Sequence, residues 1–298
     1  MHDFPVEQFT WGLAAGVAAL AVSLGAAVVA ARARVAARRP PDIGLATTAA
    51  TLIALGPSAS QAPTVGVLVG LAGVTTAVAL ATSMQARFAA TPVVLAPVLA
   101  APFAWLLAID ASPVTWVRLV GLCGATLGPV AASRTDREWG PAGLTPGLYA
   151  ITAAGVFAAV PNTAGAVTLL GASVPGAFAG WPLGRARLGR AGAASTTALL
   201  VWTAAVGSAG REPAIVGALA CLGLLAARPP GLWLARHWPA IWARRPGRLT
   251  AGPLAVLVAH TATVAVASRI AGISHELRVA VPVAVVTLVV GSIACTVL

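Results

Sequence analysis

Eleven mostly apolar stretches follow one another along the chain, and no other feature restricts its fold so severely. They run at roughly 11–31, 43–59, 62–83, 89–109, 113–132, 142–160, 164–183, 191–209, 213–228, 251–270 and 277–297. A helix needs about 20 apolar residues to cross the hydrocarbon core of a bilayer, and inside that core only helices and closed barrels satisfy every backbone polar group. Charged residues make up 9% of the chain and hydrophobic residues 58%, whereas soluble domains are about a quarter charged. A water-soluble surface is thereby excluded. The expected fold is all-α, a polytopic integral membrane helix bundle of about 11 transmembrane helices, with residues 1–298 forming a single transmembrane domain.

Turn chemistry separates several of these runs: Gly56-Pro57-Ser58, Pro161-Asn162-Thr163 and Arg211-Glu212-Pro213. All basic residues are arginine, 19 in number, and the net charge is +11. Cytoplasmic loops hold the excess of arginine near helix ends, and alternate loops here meet that rule. Fifteen of the 19 arginines fall in one set: Arg32, Arg34, Arg38 and Arg39, then Arg87, then Arg134 and Arg137, then Arg185, Arg187 and Arg190, then five between Arg228 and Arg248. The opposite loops hold Arg211, Arg269 and Arg278, together with Asp3, Glu7, Asp110, Glu212 and Glu276. This predicts the N-terminus outside and the C-terminus inside. The loops on the outer side are short, so an outer site must be built from helix ends.

Residues 229–248 are the exception among the connections. Leu234, Trp238, Ile241 and Trp242 form an apolar stripe at helical spacing, with Arg236, His237 and Arg244 elsewhere on the wheel. The segment is predicted to be a cytoplasmic interfacial amphipathic connector that anchors in the bilayer, the sharper alternative being that it binds anionic lipid head groups. The first nine residues, MHDFPVEQF, lack a basic stretch, which argues against a cleaved signal peptide. Arginine and alanine usage points to a bacterium with a GC-rich genome and to its cell (plasma) membrane.

Ionisable or strongly polar groups within spans are the default functional positions of a membrane protein. Five candidates for a polar pathway or substrate contact follow: Arg118 and Asp110, which are also close enough in sequence to pair, His260 near the middle of a span, Asn162 and Gln61. Histidine titrates near physiological pH, so His260 is the candidate for a proton relay. Its bland alternative is a hydrogen bond to a neighbouring helix. Arg211, Arg269, His275, Glu276 and Arg278 form a candidate outer rim. Pro92, Pro97 and Pro102 in the fourth run and Pro175 in the seventh are candidate hinges, because each proline removes a helical hydrogen bond. Pairs such as Gly12 with Gly16 and Gly124 with Gly128 have the spacing of close helix contacts.

Catalytic motifs are absent from the sequence: it has no CxxC, no HExxH, no GxSxG and no phosphate-binding GxxxxGK. Cys123, Cys221 and Cys295 lie inside apolar runs and are expected to pack as small hydrophobes. No catalytic residue, metal site or cofactor is expected, and nucleic acid is not an expected partner. The expected partners are the lipid bilayer and other subunits in a homo- or hetero-oligomer. The leading functional expectation is transport or translocation of a small or lipid-like molecule. The alternatives are a non-catalytic subunit or assembly factor of an envelope complex, and a membrane-embedded enzyme acting on a lipid substrate.

Overall fold

A computed structural model describes residues 5–32, 41–56, 63–84, 91–181, 183–184, 186–223, 253–273 and 276–297, with the side chains of 84, 91–94, 138, 253–255, 271–273, 277 and 292–297 not described. Gln61, His275 and the 229–248 connector lie outside these residues. Among them the chain forms α-helices: α1 (Val6–Arg32), α2 (Gly44–Leu55), α3 (Val65–Met84), α4 (Thr91–Ala111), α5 (Thr115–Trp139), α6 (Thr145–Ala159), α7 (Ala164–Gly180), α8 (Arg190–Gly207), α9 (Glu212–Gly223), α10 (Pro253–Ile273) and α11 (Leu277–Val297). A single 3₁₀ turn, Gly140–Ala142, follows α5.

α8 is the axis of the packing. It touches α2, α3, α4, α5, α6 and α7, and every residue from Gly192 to Ala205 is buried. A helix with no solvent-tolerant face belongs in an interior. Its first half is small or hydroxylated, and Gly192 comes so near α2 that a Cβ there would strike the Gly44 backbone. The buried hydroxyls are tolerated because each closes on its own helix: Thr48, Ser195, Thr196 and Thr197 donate to carbonyls three or four residues back. Thr48 and Ser195 also approach to 2.8 Å across the two helices, where either hydroxyl can turn its proton from its own carbonyl to the other oxygen.

The exterior reverses the usual pattern. Large aliphatic side chains point outward: Val17, Val22, Val28 and Val29 on α1, and Val279, Val281, Val285, Val286, Val289 and Val290 on α11. Apolar surface of that extent is not carried in water by a monomeric protein. α1, α3 and α5 are long and apolar enough to cross a membrane. α1 packs along α7 by backbone contact, since a Cβ at Gly12 or Gly16 would fall on the carbonyls of Thr168 or Ala172. α10 lies against α6 and α11.

The helices depart from the apolar runs in several places. α6 has 15 residues and α7 has 17, which at 1.5 Å per residue falls short of the roughly 30 Å core. α5 starts at Thr115 instead of at Pro113, because Val114 is extended (ψ 120°) and its N–H is taken by the Ser112 hydroxyl. It then continues seven residues beyond its apolar run, carrying Arg134, Asp136 and Arg137 as part of the helix. α7 passes through Pro175 without interruption. Pro92 is the second residue of α4, where a missing N–H costs nothing. Pro97 and Pro102 are interior to α4, and so are two prolines not singled out from sequence, Pro129 in α5 and Pro282 in α11.

Candidate functional site

Three connections meet at one end of the bundle, and arginine-bearing loops supply all of them. Ile43 and Gly44 donate backbone hydrogen bonds to Arg187 and Leu188 (2.8 and 3.0 Å). The Arg187 guanidinium pairs with Asp42 at 2.5 Å. Behind this pair, buried Asp136 accepts from the Thr145 hydroxyl at 2.8 Å and from the N–H of Gly189 at the start of α8. A carboxylate at that position also complements the helix dipole. Two glycines in the left-handed region permit the geometry: Gly189 (φ 76°), where a Cβ would enter the Asp42 carboxylate, and Gly143 (φ 72°), where it would enter the backbone of Gly180. The sequence reading did not single out Asp42 or Asp136, because nothing local marks a carboxylate as partnered or buried.

At the opposite end Asp110 and Arg118 do not pair with each other. Asp110 accepts from the Thr64 hydroxyl (2.6 Å) and from the indole N–H of buried Trp202 (3.0 Å), while Arg118 Nε donates to the Ser112 carbonyl (2.6 Å). Asn162 is held through its backbone N–H on the Gly207 carbonyl (2.9 Å). Arg211, Arg269, Glu276 and Arg278 are not joined by side-chain hydrogen bonds or ion pairs among the described residues. Glu276 caps α11 with its backbone carbonyl.

His260 is buried between α10 and α6, with Nε2 3.0 Å from the Thr152 hydroxyl. The same hydroxyl reaches the Leu148 carbonyl at 2.9 Å, and the Thr152–His260 contact ties α6 to α10. Nearby, the chain's lone tyrosine, Tyr149, donates to the Ala193 carbonyl at 2.9 Å and meets the Thr197 hydroxyl. The polar candidates are thus dispersed in separate, internally satisfied ties.

What the helices leave open is apolar. A cavity of about 300 Å³ lies between α5, α8 and α9. α5 contributes Cys123 and Leu127, both exposed, and the side-chain-free positions Gly124 and Gly128; α8 contributes Thr197 and Val201, and α9 contributes Leu219 and Leu222. Thr197 shows the cavity its methyl, which a Cβ at Gly128 would approach to 3.1 Å, because its hydroxyl is taken by Ala193 and Tyr149. No protein-family model matches the chain, and no curated protein matches it. None of Arg118, Asp110, His260 and Asn162 lines this cavity. Pro129 follows Gly128 directly and frees the carbonyl four residues earlier, so α5 is weakest in hydrogen bonding where it forms the groove floor.

Proposed function

We propose that the protein is a cell-membrane translocator of a lipid-like molecule, built as an eleven-span bundle with its N-terminus outside and its C-terminus inside. The observation that carries this reading is the apolar groove at α5, α8 and α9, open on its side and lined by no Asp, Glu, His, Lys or Arg. A polar solute entering such a groove would lose its water contacts without compensation, whereas an acyl chain loses none. The volume falls at the small end of ligand sites, about 300–1,000 Å³. Pro129 at the groove floor gives α5 a place to bend as cargo passes.

Reconstitution in liposomes with a fluorescent phospholipid analogue tests the reading, with bilayer crossing followed by dithionite quenching. Wild-type protein is expected to accelerate crossing over protein-free vesicles. Cys123→Trp, which puts an indole into the groove from an exposed position, is expected to remove most of that acceleration while helicity is unchanged. Crossing no faster than in protein-free vesicles would end the reading.

A second reading has its own support. Packing around α8 is closed on all sides, and the valine face of α11 is a broad surface for another subunit. A non-catalytic subunit would migrate in mild detergent extracts as part of a larger assembly and move no lipid.

A further inference from the structure

The groove has a direction, set by the pairing of its two longer walls. α5 and α8 run antiparallel, with Gly124 against Val201 and Gly128 against Thr197. The same register, continued toward the arginine-rich end, brings Thr135 of α5 level with Arg190 of α8, with Arg134 beside it. Arg134 lies seven residues beyond Leu127, and Arg190 seven before Thr197, so each shares the helix face that lines the groove. At 1.5 Å per residue both sit about 10 Å past the groove floor.

Neither arginine has a hydrogen bond or ion-pair partner among the described residues. Of the described acids nearby, Asp42 is committed to Arg187 and Asp136 to Thr145 and Gly189. Arg134 is only half exposed and Arg190 is exposed. An apolar slot with two arginines on the same helix faces about 10 Å beyond its end has the layout of an anionic amphiphile, and arginine forks match phosphate and carboxylate oxygens.

We propose that this groove holds an acyl chain of an anionic membrane lipid whose head group is bound by Arg134 and Arg190. An acyl chain suits the slot better than a polar segment does, because no charged residue lines it. The inference rests on the lipid reading of the groove and adds to it the charge of the lipid and the residues that select it.

Equilibrium binding tests it independently of translocation. Full-length protein in a neutral detergent is titrated with dioleoyl phosphatidylglycerol, dioleoyl phosphatidylcholine or inorganic phosphate, and bound lipid is counted by native mass spectrometry. Wild type is expected to prefer phosphatidylglycerol by about tenfold. Arg134→Gln and Arg190→Gln, each of which leaves the groove intact, should each reduce that preference to about threefold or less, and Cys123→Trp should remove the binding of both lipids.

Equal binding of the two lipids by wild type would overturn the proposal, as would a preference that survives both arginine substitutions. Displacement of the lipid by inorganic phosphate alone would also overturn it, since the chain would then contribute nothing. Lipid crossing without head-group preference would defeat this inference and leave the translocator reading standing. Preference without crossing would do the reverse.

Discussion

Asp42 and Asp136 sit in one cluster and hold unequal shares of it. The Asp42–Arg187 pair faces solvent, with Asp42 54% exposed, and exposed pairs contribute about 0–1 kcal/mol. Asp136 is 2% exposed and satisfies a buried hydroxyl and a helix-start N–H. Its removal leaves both donors without an acceptor, at about 1–3 kcal/mol for each buried group so stranded. Asp136→Ala is therefore expected to destabilise the protein by about 3 kcal/mol in thermal unfolding in detergent, and Asp42→Ala by less than 1. Asp136→Asn retains an acceptor oxygen and should recover about half of the loss. Equal melting of the two alanine variants would show that the buried carboxylate is not the tie between α5, α6 and α8.

Among the elements, α1 depends most on the absence of side chains. It meets α7 where Gly12 and Gly16 face the carbonyls of Thr168 and Ala172, and where Gly171 of α7 faces the Phe9 backbone in return. In a membrane, where lipid is as apolar as leucine, close backbone packing is a main source of helix association. Gly16→Leu would force the backbones apart, at about 1–3 kcal/mol for such overpacking, and should make α1 separately cleavable in limited proteolysis. Gly171→Leu should do the same from the other side. The double variant should cost less than the sum, because the first substitution has already opened the seam.

The hydropathy pattern already marked the helices, since a run of 20 apolar residues in a chain this poor in charge has little alternative to helix. Their ends were less legible: α5 outlasts its apolar run by two turns because backbone bonding, unlike hydropathy, does not stop at Arg134. Centrality was not legible either. α8 carries Ser195, Thr196, Thr197 and Thr203 and is the most enclosed of the described helices, since its hydroxyls bond internally and leave a small cross-section. The ionisable candidates were found but not brought together, because Asp110, Arg118 and His260 spend their polarity on separate partners, Thr64 and Trp202, Ser112, and Thr152. The groove is built from Gly124, Gly128 and Leu127, and the spacing of the glycine pair signals close helix contact without marking an open slot.

At the scale of the whole molecule, the arrangement of ends bears on orientation. The connections carrying Arg137, Arg187 and Arg190 gather with Asp42 at one end, while Asp110, Ser112, Asn162 and Gly207 gather at the other. If α8 crosses the bilayer with its arginine-bearing end inside, the loop before it and the loop after it lie in different compartments. Gly184, in an open turn, and Arg211, exposed at the far end, report on the two sides. In a background without native cysteines, Arg211→Cys should react with a membrane-impermeant maleimide on intact cells, and Gly184→Cys only after permeabilisation. The reverse pattern would invert the orientation and place the mouth formed by Arg134 and Arg190 outside. Labelling of both from one side would mean that α8, the most buried helix among those described, does not cross the membrane, and an eleven-span bundle would then be untenable.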